Sequence, residues 1–465
     1  MTNANPASDV ARRAPRARPA FPGRALGRLV GRGAGPWIVF WAILALAFAL
    51  MCIIVFRTQV WQTPDGIYYY ARALRFTGLS EAAAYAEVAR VGDALGYHYD
   101  NPEMMFHFDL VVPRLVHPLL AAPWVAWFGH AGMLVPTITG TAVFFGGTAW
   151  ALAARYGRAI ALGTSLIAMA GWHWFFFSVV TQPEGLAALW FAGALFAAVR
   201  YRRARRATAG APSADAAQAA GKAASAAAAL ADQPPAAGLP GLAGGAGAGG
   251  RNRERGWWWL VVAGAFMLAF GFTRQAQLIP AGALFVVWLG EWVRSRRMRN
   301  SWLVPAAVIV GVNAASQLFQ LLMFSGFSQR DQFLKETGTD NTADAIRVIP
   351  RLARRIFTQD FNWFAASDAV MLVFCLLVGI GLVACWRRVE AHLCLGAIAG
   401  ALIYNISNGN PTALRYFQPG WICAVLLAAA VLAYASGTQP GSGLPHLPQR
   451  ARRAPSRAAS AEVEA

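Results

Sequence analysis

Charge is scarce in this chain, and acid is scarcer than base. Only 14% of the 465 residues are Asp, Glu, Lys or Arg, against 57% hydrophobic, where soluble domains carry roughly 25% charged residues. That shortage excludes a soluble globular fold for the chain as a whole and leaves a polytopic membrane protein. Lysine is almost missing: Lys222 and Lys335 are the only two, so the formal net charge of +19 comes nearly all from arginine. A basic excess can signal nucleic acid, but these arginines stand in short clusters beside apolar runs, which is how membrane topology is encoded. Nucleic acid is therefore not an expected partner. Cysteine is sparse as well. Cys52, Cys375, Cys385, Cys394 and Cys423 fall in or at the ends of apolar runs, with no CxxC and no histidine at ligand spacing. They read as small buried hydrophobes, and neither a disulfide framework nor a zinc site follows. The first apolar run has no small-x-small cleavage site, and the Arg/Pro-rich tail before it is too long for an ordinary signal peptide. That run is expected to be an anchor.

What the chain has in quantity is long hydrophobic runs. About 20 apolar residues span a bilayer core. On that measure the spans are expected over 36–56, 133–154, 159–176, 184–199, 257–272, 277–293, 302–324, 369–386, 392–406 and 417–435. The short run 117–129, with Pro118 and Pro123, is expected to be interfacial or re-entrant. The positive-inside rule supports this count of about ten. With a cytoplasmic N-terminus, the arginine clusters at 12–32, 155/158, 200–206, 251–255, 294–299, 387/388 and 450–457 all land inside. Counting 117–129 as a full span would put Arg155 and Arg158 outside. The expected architecture is an all-α polytopic membrane protein with about ten transmembrane helices and a long first extracytoplasmic loop carrying juxtamembrane helices. Residues 1–35 form a basic cytoplasmic tail and 36–203 an N-terminal membrane half with an outer loop over 57–116. Residues 204–256, rich in Ala, Gly, Pro and Ser where they lack aromatics, read as a disordered cytoplasmic linker. A C-terminal membrane half over 257–436, with an outer loop over 325–367, precedes a disordered cytoplasmic tail over 437–465. The Ala/Gly/Arg bias fits a GC-rich bacterial genome, so the expected location is a bacterial cytoplasmic (inner) membrane, with both termini cytoplasmic.

The chemistry, if there is any, belongs to the outer side. Asp65 follows the first span and precedes Tyr68, Tyr69 and Tyr70. It reads either as a base or charge-binder at the mouth of a bundle or as a solvated loop carboxylate. The tyrosines could stack on a sugar face, and an aromatic-belt position is the expectation for at least two of them. Ile67, Tyr70, Leu74 and Thr77 recur at helical spacing, which predicts an amphipathic helix over 66–79, and Ser80-Glu81 predicts a second helix start. Glu184 stands at the outer end of the fourth run, where the helix dipole favours an acid but the nearby hydrocarbon makes one costly. Arg274 is an isolated cation between two apolar runs, against the positive-inside rule, and an anionic partner such as a phosphate would explain it. Arg415, beside Tyr416, is a second outer-face arginine just before the last run. His98, Asp100, Glu103, His107 and Asp109 resemble a cluster of metal ligands, but their spacing matches no defined motif and no metal site is expected. Trp257, Trp258 and Trp259 read as membrane anchors, and Asn313 and Gln317 as hydrogen-bond partners between helices.

The order of these features resembles the GT-C superfamily of membrane glycosyltransferases. The resemblance runs from the Asp65 and tyrosine stretch through the interfacial His117-Pro118-Leu119-Leu120 segment and the Gln182-Pro183-Glu184 turn. It continues to Arg274 and to Arg415-Tyr416-Phe417-Gln418-Pro419. The closest echoes are bacterial relatives of protein O-mannosyltransferases and of the lipid A aminoarabinose transferase. The resemblance implies a polyprenyl-phosphate-linked sugar donor and an envelope glycan, lipid or protein acceptor, joined on the non-cytoplasmic face among membrane lipids. Asp65 is then the base on the acceptor hydroxyl and Glu184 the second catalytic acid. Arg274 and Arg415 hold the donor phosphate, with Tyr69 and Tyr416 also binding substrate. The chain departs from the family in having Gly66 where many members place a second acid. Its first loop contains no DxD, so no cofactor is expected and a divalent metal lacks its usual motif. Two other readings stand beside this one: a transporter or flippase of a lipid-linked or amphiphilic substrate, and a non-catalytic envelope-assembly protein.

Overall fold

A computed structural model describes residues 35–59, 61, 63–98, 101–107, 111–209, 246–324, 329–408 and 413–438. Every regular element among them is helical. The expected N-terminal tail, all but the edges of the 204–256 linker, and nearly all of the C-terminal tail lie outside the described residues. At the linker's edges, helices run on to Ala209 and begin at Ala246.

Helix α1 (Gly35–Thr58) is apolar all round: Ile38, Leu46, Leu50 and Ile53 are exposed, and only Phe40, Leu44 and Val55 are buried. An element like that is stable in lipid. The loop after α1, expected on the outer side, then folds on itself. α2 (Pro64–Phe76) begins at Thr63, whose hydroxyl accepts from the Gly66 amide at 3.3 Å, with Pro64 opening the first turn. α3 (Glu81–Ala94) begins at Ser80, which caps Ala83 at 3.2 Å. With α4 (Pro102–His107) and α5 (Val116–Phe128) they enclose a small core of Ile67, Tyr70, Val88, Phe106 and Val125. The expected start at Ser80-Glu81 is present, and the helix expected over 66–79 begins two residues earlier, at Pro64, and ends at Phe76.

The chain turns back after α5. Gly129 has φ +57°, a 3-10 turn follows to Met133, and a Cβ at Gly132 would overlap the backbone of Trp124. A continuous helix would hold residues eight apart at about 12 Å, so α5 is a separate element folded against α6 (Leu134–Tyr156). This keeps 117–129 apart from the span expected over 133–154. The apolar stretch expected over 159–176 is a broken pair of helices: α7 (Arg158–Ala170) and α8 (Trp172–Val179) meet at Gly171 with a bend of 80°. Hydropathy is blind to direction, and the break falls inside an unbroken apolar run.

α9 (Glu184–Ala209), α10 (Ala246–Thr273), α11 (Leu278–Ser295) and α12 (Leu303–Met323) follow. The second outer loop carries α13 (Gln329–Thr337) and α14 (Thr342–Ser367), the latter burying Ala345, Leu352 and Ile356 along one face. α15 (Ala369–Ala384), α16 (Val389–Asn408), α17 (Ala413–Phe417) and α18 (Trp421–Ala435) complete the bundle. Among the described residues, seven helical stretches are long and apolar enough to cross a membrane, or eight if the bent α7–α8 pair is one span. The other two expected spans exist as helices outside that set. α9 has only fifteen residues between Glu184 and Arg200, and α15 is 16 residues long.

Two features of the packing were not anticipated. α11 and α16 cross at backbone distance: a Cβ at Gly282 would overlap the Gly396 carbonyl, and one at Gly400 the Leu278 carbonyl. The pair Gly396 and Gly400 is a small-xxx-small seam of the kind that brings membrane helices together. Gly400→Val is expected to destabilise the protein by about 1–3 kcal/mol, the range for overpacking a close contact. Thermal unfolding in detergent checks this, and an unchanged midpoint would count against the seam. Asn313, expected to bond across helices, is buried with no side-chain hydrogen bond among the described residues. Gln320 does so instead, donating to the Gly271 carbonyl at 2.9 Å.

Candidate functional site

Three local contacts fix where the first acids stand. The Gln182 amide donates to the Thr63 hydroxyl at 2.7 Å, and the Thr181 backbone N–H donates to the Trp61 carbonyl at 3.3 Å. These tie the first turn of α9 to the first turn of α2, and with them Glu184 to Asp65. The Thr141 hydroxyl donates to the Ser178 carbonyl at 2.6 Å. A Cβ at Gly185 would overlap both of those groups, so the start of α9 is wedged against α6 and α8. Gly185→Ala is expected to displace Glu184 and lower the melting temperature by several degrees, a shift of the size that about 1–3 kcal/mol of overpacking gives. The same thermal-unfolding measurement reads it.

The cations come from the C-terminal half. Arg274 follows α10 directly, its N–H still bonded to the Phe270 carbonyl at 2.9 Å. Arg415 lies in α17, which is anchored where Gln418 donates to the Trp174 carbonyl at 2.7 Å. The Trp421 ring, stacked between Trp174 at 4.9 Å and Phe374 at 4.6 Å, makes that anchor rigid.

These elements bring the four charged residues singled out in the sequence into one network. Arg415 donates through Nη2 to Asp65 Oδ2 at 2.7 Å and through Nε to Glu184 Oε1 at 2.7 Å. Arg274 Nη1 lies 2.9 Å from the same Glu184 oxygen. The Tyr416 ring lies 4.8 Å from the Arg274 guanidinium and 5.8 Å from that of Arg415, within cation–π range of both. Exposure grades across the network. The Asp65 side chain is 46% exposed, that of Arg415 12%, Arg274 1% and Glu184 0%. Asp65 thus stands at the accessible edge, and the Glu184–Arg274 pair is enclosed behind it.

Burial pushes the Asp65 carboxyl up, but the Arg415 guanidinium bonded to it, with Arg114 and Arg274 behind, holds it below the usual carboxylate range. A depressed carboxyl contributes stability that is complete above the ordinary aspartate value of 3.8 and is lost as pH falls through the lower, folded value. The melting-temperature difference between wild type and Asp65→Asn is therefore expected to stay constant from neutral pH to about 5 and to shrink only below about 4. A difference that disappears between pH 5 and 7 would contradict it.

Sequence reasoning missed part of the site. Arg114, on the segment leading into α5, is only 8% exposed. It donates through Nη1 to the Tyr69 hydroxyl at 2.7 Å and through Nη2 to Gln275 Oε1 at a long 3.5 Å. Tyr404 is buried among Arg274, Arg114, Tyr416 and Tyr69, with its ring 5.4 Å from that of Tyr416. Arg114 carried the same signal as Arg274, an arginine among apolar residues on the outer side. Tyr404 carried none, since it lies in an apolar run. The aromatic-belt expectation for at least two of the three tyrosines is corrected. Tyr69 and Tyr70 are fully buried, because α2 packs that face onto the outer-loop core and the Arg114 side.

Of the metal-like residues, the side chains of Asp100, Glu103 and Asp109 lie outside the described ones, and the two histidines do not share a partner. His98 pairs with Asp93 at 2.9 Å and His107 with Glu81 at 3.5 Å, two different carboxylates. Among the described residues no group of three or more His, Cys, Asp or Glu could hold a metal ion. No family model, curated protein or solved structure matches this chain.

Proposed function

We propose that this chain is an integral-membrane glycosyltransferase of GT-C type. In this reading it moves a sugar from a polyprenyl-phosphate-linked donor to an acceptor hydroxyl on the non-cytoplasmic face of a bacterial inner membrane. The membrane region counts ten spans, adding α9, α15 and the bent α7–α8 pair to the seven long helices, with both termini cytoplasmic. The observation that carries the reading is the convergence of Asp65, Glu184, Arg274 and Arg415. These residues come from four separate segments, and a bundle has no need of such a group for packing alone. Buried charge within a membrane protein is costly and marks function by default.

The residue types suit the chemistry. Asp65 is ionised at neutral pH and reachable, so it can take the proton of the acceptor O–H. The acceptor oxygen then bonds to the anomeric carbon, the bond from that carbon to the phosphate oxygen breaks, and the electron pair leaves with the polyprenyl phosphate. The charge that develops there needs fixed cations, which the arginines of the cluster supply without reorganisation at the moment of reaction. Glu184, fully enclosed and shared by both arginines, is read as the residue that positions them, and Tyr416 as the face against which the guanidiniums lie. One carboxylate with fixed cations is sufficient for a single inverting displacement.

The test uses the purified chain in lipid nanodiscs, given radiolabelled polyprenyl-phosphate sugars and an envelope extract as acceptor source. The expected result is label transferred to the extract with stoichiometric release of polyprenyl phosphate. Movement of intact donor across proteoliposomes without any transfer would replace this reading with a flippase.

A further inference from the structure

Arg114 is the least compensated cation of the buried cluster. It is 8% exposed, its Nε makes no hydrogen bond, and its bonded partners are a phenol and a carboxamide, both neutral. Among the described residues no carboxylate pairs with it directly. Arg415, in contrast, spends both its Nε and its Nη2 on Glu184 and Asp65. Arg274 lies against the same Glu184 oxygen that Arg415 uses, and among the described residues none of its three side-chain nitrogens makes a hydrogen bond. Arg114, Arg274 and Arg415 all lie within electrostatic reach of both Asp65 and Glu184. Among the described residues, three fixed positive charges therefore face two negative ones. A buried guanidinium without a counter-ion is expensive, and it persists where something else answers its charge.

From this we infer that Arg114 is an anion-binding residue of the site, and that Arg114 with Arg274, rather than Arg415, receives the donor's phosphodiester oxygens. Arg415 instead keeps Asp65 and Glu184 in register. The inference rests on the transferase reading for the identity of the anion. The Tyr69 hydroxyl accepts from Arg114 and aims the guanidinium, which makes Tyr69 a positioning residue rather than a sugar platform. A singly charged phosphodiester neutralises the cluster's excess of one positive charge.

The experiment is binding of polyprenyl phosphate, and of the uncharged polyprenol of the same length, to the full chain in nanodiscs, with melting temperatures alongside. Arg114→Gln is expected to weaken polyprenyl phosphate by about tenfold or more, the worth of a charge-assisted hydrogen bond. It should leave polyprenol binding unchanged, and it should leave the ligand-free melting temperature unchanged or higher, since an uncompensated charge has been removed. Arg114→Lys should recover most of the affinity. Equal weakening of both ligands with a lower melting temperature would make Arg114 a packing residue, and unchanged phosphate binding would also overturn the inference. Should Arg114→Gln not fold, Tyr69→Phe serves: it should weaken polyprenyl phosphate about threefold and spare polyprenol, and equal binding of both by wild type and variant would overturn the proposal. The readout is separate from catalysis. Binding that depends on Arg114 in a protein that transfers no sugar would sink the transferase reading and leave the subsite standing.

Discussion

Asp65→Asn is expected to cut sugar transfer by about a hundred- to ten-thousandfold, the usual contribution of a positioned general base. The protein should still insert and accumulate at wild-type level. The substitution keeps volume and one hydrogen-bonding oxygen toward Arg415, and the Asp65 side chain is nearly half exposed, so little of the fold depends on its charge. Donor binding should survive for the same reason: the enclosed arginines remain, with Glu184 still holding two of them. Steady-state kinetics separate these effects. The account expects a fall in kcat with KM for the donor within a few-fold, because the base acts in the transition state and not on the bound donor. A matched rise in KM with normal kcat would make Asp65 a binding residue.

Glu184→Gln is expected to be the most damaging single substitution to the fold. The carboxylate is fully enclosed and is shared by Arg274 and Arg415. Removing one partner from a buried charge group costs about 3–5 kcal/mol, because the remaining charges are left without compensation. Here Arg274 loses its counter-ion and Arg415 one of its two while Arg114 is already poorly compensated, so the cluster's imbalance grows from one positive charge to two. The expected outcome is a large drop in melting temperature together with loss of transfer. A double-mutant cycle with Arg274→Met makes the cause visible. Removing the cation as well should restore a good part of the lost stability, without restoring activity. If Glu184→Gln melts like wild type, the enclosed pair does not hold the site together.

Much of this arrangement could be read from the sequence because it follows local rules. Ser80-Glu81 is a helix start written in capping chemistry, and the spacing of Ile67, Tyr70 and Leu74 marks the helix before it; both helices are present. The side of the membrane on which Asp65, Glu184, Arg274 and Arg415 were expected to stand came from the arginine clusters, and asking why a cation should break that pattern singled out Arg274. The same question asked of Arg114 would have found it. What stayed hidden depends on direction and on contact. The 80° bend at Gly171 leaves no mark on hydropathy, because both arms are apolar. Tyr69 and Tyr70 looked like belt residues because an outer-loop tyrosine can face either lipid or a small core, and composition does not distinguish the two. The grading of exposure from Asp65 to Glu184, which separates a reachable base from an enclosed anchor, is a property of the packed bundle alone. So is the approach of Gly282 to Gly396, where a seam of missing side chains matters only once two helices are known to meet.

The most direct measurement of the central claim is a single comparison in nanodiscs of wild type and Asp65→Asn, both shown to bind polyprenyl phosphate. Each is given the same labelled polyprenyl-phosphate sugar and the same envelope extract, and polyprenyl phosphate release is followed with time. The account predicts steady release coupled to acceptor labelling in wild type and a rate lower by about a hundredfold or more in the variant. Equal rates in the two proteins would contradict it.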